Sequence, residues 1–172
     1  MIGSYLIFAV LGFILISTFT AHYNQNYLEQ YYAAALRRES SQIADSFGNS
    51  YYRSELTLEE FQKQIAAVSS YLDADIYIVT TGGRVLITSE QYIRPSETES
   101  IKDFDILDFS GSNYSIGTFY DHYDDDVLTV YTPITRSYKV TCYAIICLPL
   151  SHITTLQYDL LNGFYLSLIF LL

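Results

Sequence analysis

The stretch from Ala74 to Ser89, A-D-I-Y-I-V-T-T-G-G-R-V-L-I-T-S, constrains the fold more than any other part of the chain. Two runs rich in β-branched residues, Ile76 to Thr80 and Val85 to Ser89, flank Gly82-Gly83. A glycine pair supplies the positive φ angles of a tight hairpin turn, so the spacing predicts a central β-hairpin. Its nearly unbroken apolar character predicts strands covered on both faces, and segments before and after must do the covering.

The preceding segment is helical by pattern. From His22 to Phe47 there is neither Gly nor Pro, and Tyr23, Tyr27, Tyr31, Ala34 or Ala35, Ile43 and Phe47 recur at three- and four-residue intervals, as one helix face requires. Such a helix either pairs with a second copy of itself or packs on its own sheet. Gly48-Asn49-Ser50 should end it with a left-handed residue. A second helix, 57–72, is announced by a capping box of Thr57 and Glu60, with Leu58, Phe61, Ile65, Val68 and Leu72 as its apolar stripe.

After the hairpin, residues 90–113 read as an irregular crossover with a short helix around Ser100 to Asp108. Gly117 to Tyr123 and Val127 to Ile134 bracket Asp124-Asp125-Asp126 and predict a second hairpin, and Tyr138 to Leu148 predicts a fifth strand stopped by Pro149. The expected sheet spans 75–148.

Charge is segregated. Ile2 to Ala21 holds no charged residue, and at about 1.5 Å rise per residue it matches a hydrocarbon core of roughly 30 Å. The sequence thus predicts a transmembrane helix over 1–21, the alternative being a cleaved signal peptide without its basic start. Leu160 to Leu172 is again apolar, so 158–172 is expected to begin a second transmembrane helix that the sequence truncates. Every Lys and Arg, and all but one of the 19 acidic residues, lies between His22 and Tyr158. An acidic module between two spans, 22–157, is expected to be extracytoplasmic at the cell membrane, and no basic footprint for nucleic acid is present. With no Lys or Arg before the first span, the positive-inside rule gives no orientation.

Site signals are sparse. Cys142 and Cys147 stand five apart in an expected strand, at about 3.3 Å per residue too far for a mutual disulfide, and read as small buried hydrophobes. Asp121, Asp124 and Asp126 could gather hard-oxygen ligands for a divalent cation, but they lack the glycine and spacing of a calcium loop. His122 carries the one side chain whose unperturbed titration falls near physiological pH. Among the 18 tyrosines, Tyr120 and Tyr131 are expected on adjacent strands, where aromatic walls and hydroxyls could orient a small ligand. Nucleophile elbows and triads are absent from the sequence. No catalytic residue or cofactor is expected.

The order of span, long helix, capped helix, hairpin, crossover, three strands, helix and span resembles the extracytoplasmic PAS-like or single-Cache sensor modules of bacterial membrane receptors, and more narrowly the sensor region of clostridial-type sensor histidine kinases. The resemblance rests on A-D-I-Y-I-V-T-T-G-G-R-V-L-I-T-S, G-T-F-Y-D-H-Y-D-D-D-V-L-T-V-Y-T-P-I-T, Y-A-I-I-C-L-P-L-S-H-I and L-L-N-G-F-Y-L, and covers nearly the whole chain. It implies an α+β fold, a five-stranded antiparallel sheet with a long N-terminal helix flanked by two transmembrane helices. It further implies a signal-sensing input module of a two-component system, homodimeric, responding to an unidentified small ligand or envelope signal. The same module is fused to chemoreceptors and cyclic-dinucleotide enzymes, and a passive anchored interaction domain is the other alternative. None of His22, His122 and His152 has the phosphoacceptor pattern of a kinase, and no nucleotide loop follows, so this segment is not expected to be an enzyme.

Overall fold

The computed structural model describes residues 2–51, 57–90, 100–109 and 114–153. The chain divides into two units, Met1–Tyr32 with Ser151–Leu172, and Ala33–Leu150. Helix α1 (Ile2–Ser46) is unbroken. In the first unit it exposes Leu11, Leu15, Tyr27 and Tyr31, and Tyr31 packs edge-on against Tyr32 with ring centroids 5.9 Å apart. Among the described residues no helix is long and apolar enough to cross a membrane. Most side chains of residues 2–25 lie outside the described set, as does the expected second span over 158–172.

The second unit is built on one antiparallel sheet in the order β2-β1-β5-β4-β3. Its strands are β1 (Asp75–Thr80), β2 (Val85–Thr88), β3 (Ser115–Gly117), β4 (Val127–Arg136) and β5 (Lys139–Pro149). Strand β5 is the middle strand, and the hairpin expected at the centre lies to one side of the sheet, with β2 at the edge and β1 between it and β5. Residues Ile76 to Val79 of β1 are all buried, as the two-sided apolar run requires. Register assigns the faces. Tyr77 stands opposite Ile145 and Val79 opposite Tyr143, while Ile76 opposes Ile146 and Ile78 opposes Ala144.

Helices cover the Ile76–Ile78 face. From α1, Ala33, Leu36, Ser40, Ile43 and Ala44 are buried, followed by Phe47, and the Ser40 hydroxyl donates to the Ala144 carbonyl at 3.0 Å. Ile43 therefore does not share the exposed face of Tyr27 and Tyr31. Twelve positions at 3.6 residues per turn rotate it about a third of a turn from Tyr31. Nor does α1 end in a left-handed Gly48 or Asn49, since neither has a positive φ. A π-helical turn, Phe47–Tyr51, closes it, and Phe47 meets Phe61 edge-on at 5.0 Å.

Helix α2 (Leu58–Leu72) starts on the expected capping box. Thr57 Oγ1 accepts from the Glu60 N–H at 3.2 Å, and Glu60 Oε2 accepts from the Thr57 N–H at 2.9 Å. That second bond is the main reason the Glu60 carboxyl sits below its ordinary value. Phe61 and Ile65 are buried at about 1% exposure, each worth roughly 2 kcal/mol of apolar burial. Gln62 reaches across to the Ser89 carbonyl at 3.2 Å, and the Ser89 hydroxyl accepts from the Ile76 N–H.

Two hairpin expectations need correction. At the β1–β2 turn only Gly83 has a positive φ, 81°. The connection runs from Thr80 to Arg84, closed by Thr80 N–H to the Arg84 carbonyl at 2.8 Å, so it is wider than a two-residue turn. The expected strand from Gly117 to Tyr123 stops at Gly117, and residues 118–123 form a turn instead. The expected short helix in the crossover is a 3-10 segment, Ile106–Phe109.

Candidate functional site

The sheet face carrying Tyr77, Val79, Tyr143, Ile145 and Cys147 is covered by irregular chain instead of helix. Phe119 from the 118–123 turn completes this buried cluster, and Ile101, Phe104, Ile106, Tyr120, Tyr123 and Tyr131 pack around it. The crossover is tied to the β1–β2 turn by the Ile101 N–H, which donates to the Gly83 carbonyl at 2.9 Å, and by a bridge between Arg84 and Ser100. A Cβ on Gly83 would lie 2.8 Å from the Phe104 Cβ, so the close approach itself requires glycine.

Phe119, Tyr120 and Asp121 have φ of 46°, 57° and 56°. Three consecutive side-chain-bearing residues in the left-handed region cost about 1–2 kcal/mol each, and such strain persists only where the surroundings over-determine it. Here they do. The Thr118 carbonyl accepts from the N–H groups of His122 and Tyr123, both at 3.1 Å, and the Thr118 hydroxyl donates to Asp121 Oδ1 at 3.2 Å. Phe119 is stacked on Tyr77 with centroids 6.0 Å apart. The Tyr120 hydroxyl donates to the Asp105 carbonyl at 2.8 Å and accepts from the Asp105 N–H at 3.2 Å. Tyr123 donates to Asp75 Oδ2 at 2.7 Å.

Between the turn and the crossover lies a recess of about 190 Å³. Tyr77, Val85 and Phe119 line it from the sheet side, Ser100, Ile101 and Lys102 from the crossover, and Tyr120, Asp121 and His122 from the turn. It thus joins apolar and aromatic walls to one ammonium, one carboxylate and one imidazole. The ion pair between Lys63 and Glu59, at 3.3 Å, lies on α2 and involves neither Lys102 nor Asp121. The His122 ring meets Tyr77 and Tyr123 edge-on, at 5.8 and 5.3 Å.

Of the expected site residues, Tyr120 and His122 come together at the recess. Tyr131 does not line it and instead faces Tyr143 edge-on at 6.3 Å. Asp121 faces the recess, whereas Asp124 and Asp126 do not. Among the described residues no three His, Cys, Asp or Glu side chains are placed to hold a metal ion. Tyr77, Lys102 and Phe119 were not marked by any local sequence signal, because only the crossover's return to the hairpin brings them together.

Burial keeps the phenols and the thiol of this face protonated. Burial raises the phenols of Tyr77 and Tyr123 well above their ordinary value, and also that of Tyr143. Burial likewise pushes the Cys147 thiol up to about 12. Cys147 therefore stays a thiol, 3.7 Å from Thr129 Oγ1, and offers neither nucleophile nor metal ligand.

No protein-family profile matches the sequence, and no curated protein matches it. Solved structures do match in fold. The sensory domain of the Campylobacter jejuni chemoreceptor Tlp3 superposes with a TM-score of 0.51 at 15% identity, over 79% of this chain and 60% of that one. The extracellular domain of rpHK1S-Z16, assigned as a histidine kinase, gives 0.51 at 11% identity, over 78% and 58%. A domain of a sensory box/GGDEF family protein from Vibrio parahaemolyticus gives 0.51 at 11%, over 81% and 62%. The chain spans about six-tenths of the length of these structures. The chain shares its fold with these sensory and extracellular domains.

Proposed function

We propose that the chain is the extracytoplasmic input module of a membrane sensor histidine kinase, binding a small molecule and passing the change to a kinase through its membrane-linked helices. Binding, not catalysis, is its role. The observation that carries this reading is the recess between crossover and turn, where apolar walls meet charges of both signs. Lys102 and Asp121 suit a small zwitterion with an apolar side chain, the ammonium toward Asp121 and the carboxylate toward Lys102. Membrane attachment is supported by the uncharged run Ile2 to Ala21 and by Leu11 and Leu15, exposed on α1. The exposed Tyr27 and Tyr31, four apart on one helix face, support pairing with a second copy.

Thermal melting of the full chain in nanodiscs tests the recess with a matched set: leucine, 3-methylbutylamine, which lacks the carboxylate, and 4-methylpentanoate, which lacks the ammonium. Leucine is expected to raise the melting temperature saturably, and each single-charge compound to bind about tenfold more weakly. Ile101→Trp, which fills the recess, should abolish the shift. Equal binding of a single-charge compound overturns the zwitterion. A broad panel of metabolites giving no shift sensitive to Ile101→Trp overturns the sensory recess.

A further inference from the structure

Tyr120 stands in the wall of the recess, yet its hydroxyl is bonded both ways to the backbone of Asp105, donating at 2.8 Å and accepting at 3.2 Å. It belongs to the middle residue of the left-handed turn, and Asp105 belongs to the crossover that forms the opposite wall. The crossover is independently fixed to the β1–β2 turn, through Ile101 to Gly83 and Arg84 to Ser100. The Tyr120 hydroxyl therefore joins a strained element to an anchored one. The polar groups of the recess are divided between the two elements that the bond joins, Lys102 on the crossover and Asp121 with His122 on the turn.

We propose that Tyr120 is the positioning residue of the recess, a latch whose hydroxyl holds residues 119–121 in the left-handed turn, and that unlatching is the local opening by which small molecules enter and leave. The left-handed conformation is disfavoured for Phe119 and Tyr120 on their own, so the strain acts against the latch. Release lets the turn relax toward ordinary backbone angles and withdraw Asp121 and His122 from Lys102. Tyr123, bonded to Asp75, and Phe119, buried against Tyr77, limit the movement to the turn. Opening is then a local event, distinct from unfolding of the sheet. This latch needs the recess but no particular occupant, and it stands even if the ligand class proposed above fails.

Val85, which lines the recess at 5% exposure, offers a reporter. The test is the labelling rate of Val85→Cys by methyl methanethiosulfonate in the full chain, with and without Tyr120→Phe, followed by mass spectrometry of the cysteine-containing peptides. The native Cys142 and Cys147, both buried on β5, report opening of the sheet in the same molecules. With two hydrogen bonds lost, labelling at position 85 is expected to rise roughly tenfold or more while Cys142 and Cys147 keep their rates. An unchanged rate at position 85 overturns the latch. A parallel rise at all three cysteines also overturns it, because Tyr120 would then be holding the fold and not the opening.

Discussion

Tyr77 and Tyr123 place their hydroxyl oxygens 2.7 Å apart, from strand β1 and from the far side of the left-handed turn. Tyr123 gives its proton to Asp75 Oδ2, and a phenol has only one. Tyr77 must then be the donor to Tyr123, and the chain of bonds runs one way, from Tyr77 through Tyr123 to Asp75. Tyr123→Phe removes an acceptor from one neighbour and a donor from the other, whereas Tyr77→Phe leaves the bond to Asp75 in place. Denaturant unfolding should show Tyr123→Phe costing about 2 kcal/mol and Tyr77→Phe about 1 kcal/mol or less. The reverse order would mean that the relay does not run in this direction.

The same buried groups set the alkaline limit. Tyr77, Tyr123 and Cys147 all hold their protons longer in the folded chain than in the unfolded one, because burial disfavours their anions. The unfolded state loses these protons first, from the ordinary 9.0 of the thiol and 10.0 of the phenols upward. Their contribution is complete below those values and declines as pH rises toward the folded ones. Melting temperature is expected to fall steadily above about pH 9, with a shallower slope in Tyr123→Phe. A melting temperature that stays level up to pH 11 would contradict the burial of these groups.

Gly83→Ala should detach the crossover. The new Cβ would meet Phe104 at 2.8 Å and the Ile101 carbonyl at 3.1 Å, at a φ of 81°. A loss of about 2 kcal/mol is expected, with amide exchange rising at Ile101. Gly82→Ala meets nothing within 4 Å and is the control.

The β4–β5 turn is improvable. Arg136 pairs with Lys139 across a two-residue loop whose Ser137 and Tyr138 both have positive φ, 50° and 65°. That geometry favours Asn-Gly, and Tyr138 is fully exposed, so little packing is lost on replacing it. Ser137→Asn with Tyr138→Gly is expected to add about 1 kcal/mol of stability, read as a higher denaturant midpoint with an unchanged slope.

Legibility in the sequence followed the range of the forces. Thr57 and Glu60 are three apart, and their capping box was readable because nothing distant is needed to form it. The long β4 and β5 runs were readable for the same reason. The turn at residues 118–123 was not, since F-Y-D-H-Y has strand composition and lacks the Gly or Asn that would mark left-handed backbone. Its conformation is imposed by Tyr120 reaching Asp105 and Tyr123 reaching Asp75, separated by 15 and 48 positions. Lys102 was hidden in the same way: S-I-K-D looks like any solvated crossover until Gly83 draws Ile101 in. The stripe through Tyr27, Tyr31 and Ile43 failed for a different reason, as three- and four-residue steps can drift around a helix while each step looks correct.

The bond from Ser40 to the Ala144 carbonyl gives the seat of α1 on β5 a notch. Apolar contacts alone weaken gradually as a helix slips, so a seat made only of Ala33, Leu36 and Ile43 would tolerate intermediate offsets. A fully buried hydroxyl finds its carbonyl at one offset, and a slip of one turn would present Leu36 or Ala44, neither of which can donate. Any slip of α1 along the sheet would first have to break this bond, so the rest position of the helix is marked by a single oxygen atom.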